Sequence, residues 1–134
     1  MRQAIIRSHR ELVMMKVLIV DDNESLTGLL KEVLETEGDY SVKTAENGEA
    51  GYRAFVNFKP DVILTDIEMP VKNGLDMVKD IRALDPDIKT IYMSGDLDSY
   101  LSPLEEEKKR YPVSLLEKPF SKFELMGLLS AQTV

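Results

Sequence analysis

A chain of 134 residues is long enough for one domain with a sizeable core and too short for two ordinary ones, so no separate output domain is expected. With no cysteine and a single histidine, His9, disulfides, thiolate metal sites, a cysteine nucleophile and the usual zinc chemistry are excluded, which leaves chemistry based on oxygen ligands and nucleophiles. The net charge is −7, split into +3 on residues 1–16 (Arg2, Arg7, Arg10 and Lys16 against Glu11) and −10 on the remainder; such an acidic body repels nucleic-acid phosphates and suits a divalent cation or a basic protein partner.

No run approaches the about 18 to 20 apolar residues that span a bilayer, because Val13 to Val20 is interrupted by Lys16 and stops at Asp21. No continuous apolar stretch with a small-residue cleavage site follows the basic N-terminus, so a soluble, cytoplasmic protein is expected. Residues 1–14 read as a dispensable extension ahead of a domain spanning 15–134. The helical spacing of Ile5, His9, Leu12 and Val13 would also permit an amphipathic turn used in self-association.

The first strand is the aliphatic run Val17 to Val20, which ends at Asp21-Asp22. Ser25 to Gly38 then places Leu26, Leu29, Leu30, Val33 and Leu34 on one helical face, with Gly38 as the stop. Tyr40 to Ala45 alternates as an edge strand, and Asn47-Gly48 opens a helix carrying Ala50, Ala54, Phe55 and Phe58 that Lys59-Pro60 breaks. Asp61 to Asp66 is the third strand. Past Met69-Pro70 and Gly74, a third helix carries Leu75, Val78, Ile81 and Leu84 as far as Asp85-Pro86.

Lys89 to Met93 forms the fourth strand, and a Gly95-Asp96 turn follows. A short polar helix is predicted next, with Ser102 as N-cap, Pro103 as its first residue and Glu105 as the capping-box acid. Its acids at 105–107 and its bases at 108–110 match the helix dipole. Val113 to Glu117 is the fifth strand, and Phe120 to Ala131 the last helix, with Phe123, Leu125, Met126, Leu128 and Leu129. The alternation predicts an α/β fold: a three-layer, doubly wound sheet of five parallel strands in the order 2-1-3-4-5.

In an open sheet of this kind ligands bind beyond the carboxyl ends of the strands. There the chain places Asp21 and Asp22 after the first strand, Asp66 and the nearby Glu68 after the third, Ser94 after the fourth and Lys118 after the fifth. Clustered carboxylates repel one another, so the pocket calls for a cation, and Mg²⁺, with its taste for carboxylate, water and phosphate oxygens, is the simplest. Lys118 would supply a compact positive charge and Ser94 a hydroxyl for phosphoryl oxygens, which makes a phosphoryl-transfer site. Asp66, at the end of the central strand, is the expected nucleophile and would form an aspartyl phosphate.

The motifs Val20-Asp21-Asp22, Thr65-Asp66-Ile67-Glu68-Met69-Pro70, Asn73-Gly74, Met93-Ser94-Gly95 and Glu117-Lys118-Pro119-Phe120, in this order and spacing, resemble the receiver domain of two-component response regulators across about residues 15–131. The resemblance implies a flavodoxin-like receiver fold and transfer of a phosphoryl group to Asp66 from a histidine kinase or a histidine phosphotransfer protein. It implies Mg²⁺ held by Asp22, Asp66 and the backbone carbonyl of Glu68, with Asp21 acting mainly through water. It also implies self-phosphorylation and autodephosphorylation without turnover of a separate substrate, hydrolysis tuned by the side chains of Glu68 and Asp96, and a cis peptide bond at Lys118-Pro119. Signalling would pass to a downstream protein target, with no direct nucleic-acid or membrane binding. The face of the fourth helix, fifth strand and fifth helix would serve for homodimers or partners.

Two features depart from the resembled pattern. Leu115 stands where the family places an inward-turning tyrosine or phenylalanine, and the stretch from Ser94 to Lys118 is longer than the common pattern. Tyr92, Tyr100 and Tyr111 are candidates to compensate for the missing aromatic residue, with packing as their simpler role. Alternatives are a phosphate shuttle or sink in a phosphorelay, a degenerate receiver acting as a binding module, and a Mg²⁺-dependent phosphatase of the haloacid dehalogenase type. The adjacent Asp21-Asp22 does not match the Asp-x-Asp which that last family resembles.

Overall fold

The computed structural model describes residues 4–8 and 11–132. In chain order the elements are β1 (Ala4–Ser8), β2 (Glu11–Val20), α1 (Glu24–Glu37), β3 (Tyr40–Ala45), α2 (Gly48–Phe58), β4 (Val62–Asp66), α3 (Gly74–Arg82), β5 (Lys89–Ser94), α4 (Leu101–Arg110), β6 (Val113–Glu117) and α5 (Lys122–Ala131), with a 3-10 turn at Leu97–Tyr100. Strands β3, β2, β4, β5 and β6 are mutually parallel neighbours in that order. Counted in chain order these five are 2-1-3-4-5, as expected.

Within the strands successive side chains serve opposite layers, which is why the runs read as continuously apolar. Val17, Ile19, Val62, Leu64, Ile91, Met93 and Leu116 pack with Leu30 and Leu34 of α1 and with Leu125 and Leu129 of α5. Leu18, Val20, Ile63 and Tyr92 pack with Phe55 of α2, Met77, Val78 and Ile81 of α3, and Leu104 of α4. Strand ends therefore meet the crevice between two buried helical layers.

The N-terminal segment departs from the expected amphipathic turn. Ala4–Ser8 is a strand antiparallel to the start of β2, with Ile5 opposite Val13 and Ile6 opposite Leu12, and β2 runs unbroken from Glu11 to Val20. The β-branched Ile5, Ile6 and Val13 favour extended backbone, and a strand partner overrides the helical spacing of Ile5, Leu12 and Val13. His9 lies outside the described residues.

Helix starts follow local chemistry. Asn23, Asn47 and Asn73 each cap a helix by accepting a backbone N–H three residues on, from Leu26, Ala50 and Asp76 respectively. The expected cap at Ser102 is not formed. The 3-10 turn runs straight into α4, so Leu101 is already helical, Tyr100 occupies the cap position without a side-chain bond, and Ser102 sits inside the first turn. A capping box does occur at α5, where Ser121 and Glu124 bond reciprocally.

Candidate functional site

Asp21 extends β2 past Val20, and its backbone N–H donates to the Ala45 carbonyl, while its carboxylate is turned inward and only 1% exposed. One carboxylate oxygen accepts the Asn23 N–H at 2.9 Å and the other faces the Lys118 ammonium at 2.7 Å. Asp22 is exposed beside it. Asp66 ends β4 with Oδ1 accepting the Ile67 N–H at 2.8 Å and Oδ2 3.4 Å from Lys118 Nζ. Asp21, Asp22 and Asp66 each bring a carboxylate oxygen within 4.8 Å of the others. Asp21, Asp22, Asp66 and Lys118, four of the six expected residues, thus converge.

The backbone around Asp66 is tightly held. Its carbonyl accepts the Thr65 hydroxyl at 2.8 Å, and the first residue of α3 lies so close that a Cβ on Gly74 would stand 2.1 Å from that carbonyl oxygen. Only glycine fits there. Gly74 N–H also donates to the Ile67 carbonyl, and between them Val71 is held at φ 70°, a strained backbone for a β-branched residue. The sequence contains Asn73-Gly74, but the reason for the glycine is visible only in three dimensions.

Ser94 ends β5 with its side chain buried, and its Oγ accepts the Asp96 N–H at 2.9 Å. Its carbonyl accepts the Lys118 N–H, tying the fourth and fifth parallel strands at the site, and the Lys118–Pro119 bond is cis. Glu68 is exposed in the loop after Asp66, and its interaction with the Tyr100 hydroxyl, followed by burial, pushes that phenol up to about 12.

Burial pushes the Asp66 carboxyl above the ordinary carboxylate range; Lys118 opposes this and the neighbouring Asp21 charge reinforces it. Burial alone would lower the Lys118 amine, but the hydrogen bond and charge of Asp21, together with Asp66, leave it above its ordinary value. Three carboxylates against one ammonium leave an excess of negative charge, and the donor set is all oxygen. These residues fit a hard divalent cation such as Mg²⁺.

Residues 17–130 match the family model for the response regulator receiver domain. The chain belongs to this family. It is 38% identical over 120 residues to the transcriptional regulatory protein CpxR of Klebsiella pneumoniae, a match that covers 88% of this chain and 49% of that protein. It is 31% identical over 120 residues to the chemotaxis protein CheY of Halobacterium salinarum, covering 86% and 93%. A solved response regulator receiver domain protein from Clostridium thermocellum superposes with a TM-score of 0.77 at 27% identity, over 90% of this chain and 94% of that one. The chain spans about half the length of the first curated relatives it matches.

As a receiver domain of two-component response regulators, the chain is a module of phosphorylation signalling. Receiver domains are generally signalling modules without enzymatic turnover, bind Mg²⁺ at an acidic cluster of the kind seen here, and interact with histidine kinases and downstream targets. No helix among the described residues is long and apolar enough to cross a membrane.

Proposed function

We propose that Asp66 is the phosphoacceptor, taking a phosphoryl group from the phosphohistidine of a histidine kinase or of a histidine phosphotransfer protein. The observation that carries this reading is the Lys118 ammonium, 3.4 Å from Asp66 Oδ2 at the open mouth of the acid cluster. The ionised Asp66 oxygen attacks phosphorus as the bond to the donor nitrogen breaks. Lys118 neutralises one phosphoryl oxygen, and the Ser94 hydroxyl donates to another.

Asp22, Asp66 and the Glu68 carbonyl would hold Mg²⁺, with Asp21 acting through water, since its two oxygens already serve Asn23 N–H and Lys118. When bound, the ion offsets the carboxylate charge and the charge on the transferring phosphoryl group. Beside Lys118, Leu26, Leu29, Leu30, Val33, Pro119 and Phe120 line an apolar groove. Its continuity with the acceptor pocket suits the helix of a phosphodonor protein, which must bring its histidine to Asp66.

The phosphorylated domain acts on a downstream protein in the cytoplasm, through the α4, β6 and α5 face, which would also serve a homodimer. It turns over no separate substrate. The receiver unit is residues 15–134, and the preceding residues are dispensable to it. Intact mass after incubation with acetyl phosphate and Mg²⁺ tests the acceptor: one phosphoryl adduct on wild type and none on Asp66→Ala is expected, and an equal adduct on both would overturn the assignment.

Leu115 favours a second reading, a phosphate shuttle or sink in a phosphorelay. It is half-buried against the layer of α2, α3 and α4, paired in register with Tyr92, and offers no aromatic group to turn inward. Rapid onward transfer from phosphorylated Asp66 to a phosphotransfer histidine, with no change in affinity for any other protein, is its signature.

A further inference from the structure

Strand β3 pairs with β2 alone, so one of its edges has no partner strand among the described residues. Alternate residues of a parallel strand turn both backbone groups toward the same neighbour. The Ala45 carbonyl accepts the Asp21 N–H, which places the odd-numbered residues of β3 inward and the backbone groups of Val42 and Thr44 on the open edge. Folded proteins blunt such edges, and Glu35 of α1 does so at Val42, accepting its N–H at 3.0 Å. Thr44 is half-buried, and its N–H has no hydrogen-bond partner among the described residues.

The open stretch lies in a cleft of about 490 Å³, with Thr27 of α1 on one wall and Ala50 and Ala54 of α2 on the other. The two alanines leave room for an approaching backbone. Asp21, Glu24 and Glu46 line the cleft against Lys43, while Arg53, also there, is engaged by Glu49 at 3.0 Å. The cleft therefore carries excess negative charge, as do residues 17–134 as a whole, at −10.

A segment of complementary charge and conformation belongs to the chain itself. Residues 1–16 carry +3, and within them Ala4–Ser8 forms β1, which pairs with β2 alone and so keeps one edge free. Two strands by themselves are marginal in water, and a third strand stabilises them. We propose that β1 of a second copy adds to the open edge of β3, so that two copies, each giving β1 to the other's β3, form a twofold dimer. Backbone hydrogen bonds supply the affinity, and the opposite charges of segment and cleft select the partner.

Sedimentation velocity of the unphosphorylated full chain over a concentration series, without metal, tests this. Wild type should pass from monomer to dimer, and the dimer should weaken as salt is raised. Thr44→Pro removes the outward N–H of β3 and should weaken association more than about fivefold, the worth of one backbone hydrogen bond of ordinary strength. Successive residues of β1 turn their N–H groups to opposite edges, so Ile5→Pro combined with Ile6→Pro removes a donor from each. That variant should be monomeric and still unfold cooperatively. Glu46→Lys, an exposed position in the cleft, should weaken association about twofold to fivefold at low salt, and it decides the role of the edge where Thr44→Pro does not fold. A wild-type chain that stays monomeric throughout, a dimer of unchanged affinity in the β1 variant, or one of unchanged affinity in the folded edge variant overturns the proposal.

Discussion

The Lys118 ammonium lies nearer to Asp21, at 2.7 Å, than to Asp66, at 3.4 Å. Asp21 is the most deeply buried acid of the cluster, so in the unphosphorylated protein the lysine serves first as the counter-ion that makes its burial tolerable. The 3.4 Å separation from Asp66 leaves the amine within a small side-chain movement of a phosphoryl oxygen there. One cation thus couples the stability of the resting fold to the chemistry of the acceptor.

Lys118→Met should therefore lose stability as well as phosphorylation. Removing the partner of a nearly buried carboxylate costs about 2 to 3 kcal/mol here, at or below the low end for buried pairs because Lys118 is partly exposed. Urea unfolding without metal should show this loss, and Asp21→Asn in the same background should recover part of it. A Lys118→Met midpoint equal to wild type contradicts the role.

Mg²⁺ should raise the melting temperature, because three carboxylate oxygens within 4.8 Å of one another need more positive charge than Lys118 supplies. Folding linked to a ligand at about 100 times its Kd gains about 2.7 kcal/mol. Asp22→Ala removes an exposed donor without disturbing the core, so it should abolish the rise while leaving the metal-free melting temperature at or above that of wild type. Equal melting with and without Mg²⁺ in wild type would reject the site.

The raised pKa of Asp66 sets a pH dependence with a definite sign. The folded state holds the Asp66 proton more tightly than the unfolded chain does, so its contribution is fully present below the unfolded pKa and is lost as pH rises through the higher folded value. Other carboxylates titrate in the same range, so the useful quantity is the stability of Asp66→Asn minus that of wild type, without metal. It should increase as pH rises from acid through that window and then level off. Saturating Mg²⁺ should flatten it, and a difference that shrinks with rising pH would contradict the assigned shift.

The site was legible in the sequence because each of its main residues closes a strand, and parallel strands deliver their ends to one edge. Elements were legible to the extent that local chemistry decided them: the strand runs, the stops at Gly38 and Lys59-Pro60, and the helix opened by Asn47-Gly48. Where tertiary context decided, local sequence carried no signal. Leu29 and Phe123 fit their helical stripes yet are 58% and 75% exposed, because α1 and α5 turn those positions to the surface. Ser102-Pro103-Leu104-Glu105 satisfied a capping template, but the preceding 3-10 turn had already begun the helix. The Ser121-x-x-Glu124 box sets the start of α5 at Lys122, two residues after the expected Phe120. The contacts of Tyr92 and Arg82 with Glu107 join residues far apart in sequence and have no local signature.

Glu107 carries the last prediction. Its Oε1 accepts from both the Tyr92 hydroxyl and Arg82 Nη1, each at 2.7 Å, which binds α4 to β5 and to the end of α3. The Arg82 guanidinium carbon sits over the Tyr111 ring, 4.0 Å from its centroid, with the side chain 8% exposed, and its Nε and Nη2 have no hydrogen-bond partner among the described residues. The guanidinium therefore depends on Glu107 for its charge balance. Glu107→Ala should cost about 3 to 5 kcal/mol, the consequence of leaving a buried charge without its counter-ion. That is a large part of the about 5 to 15 kcal/mol that stabilises a domain. Arg82→Met combined with Glu107→Leu removes both charges and should recover most of the loss. Denaturant unfolding of the three variants decides it: a Glu107→Ala loss below about 1 kcal/mol, the level of an exposed pair, would show that α4 is held by Leu104 and its apolar neighbours alone.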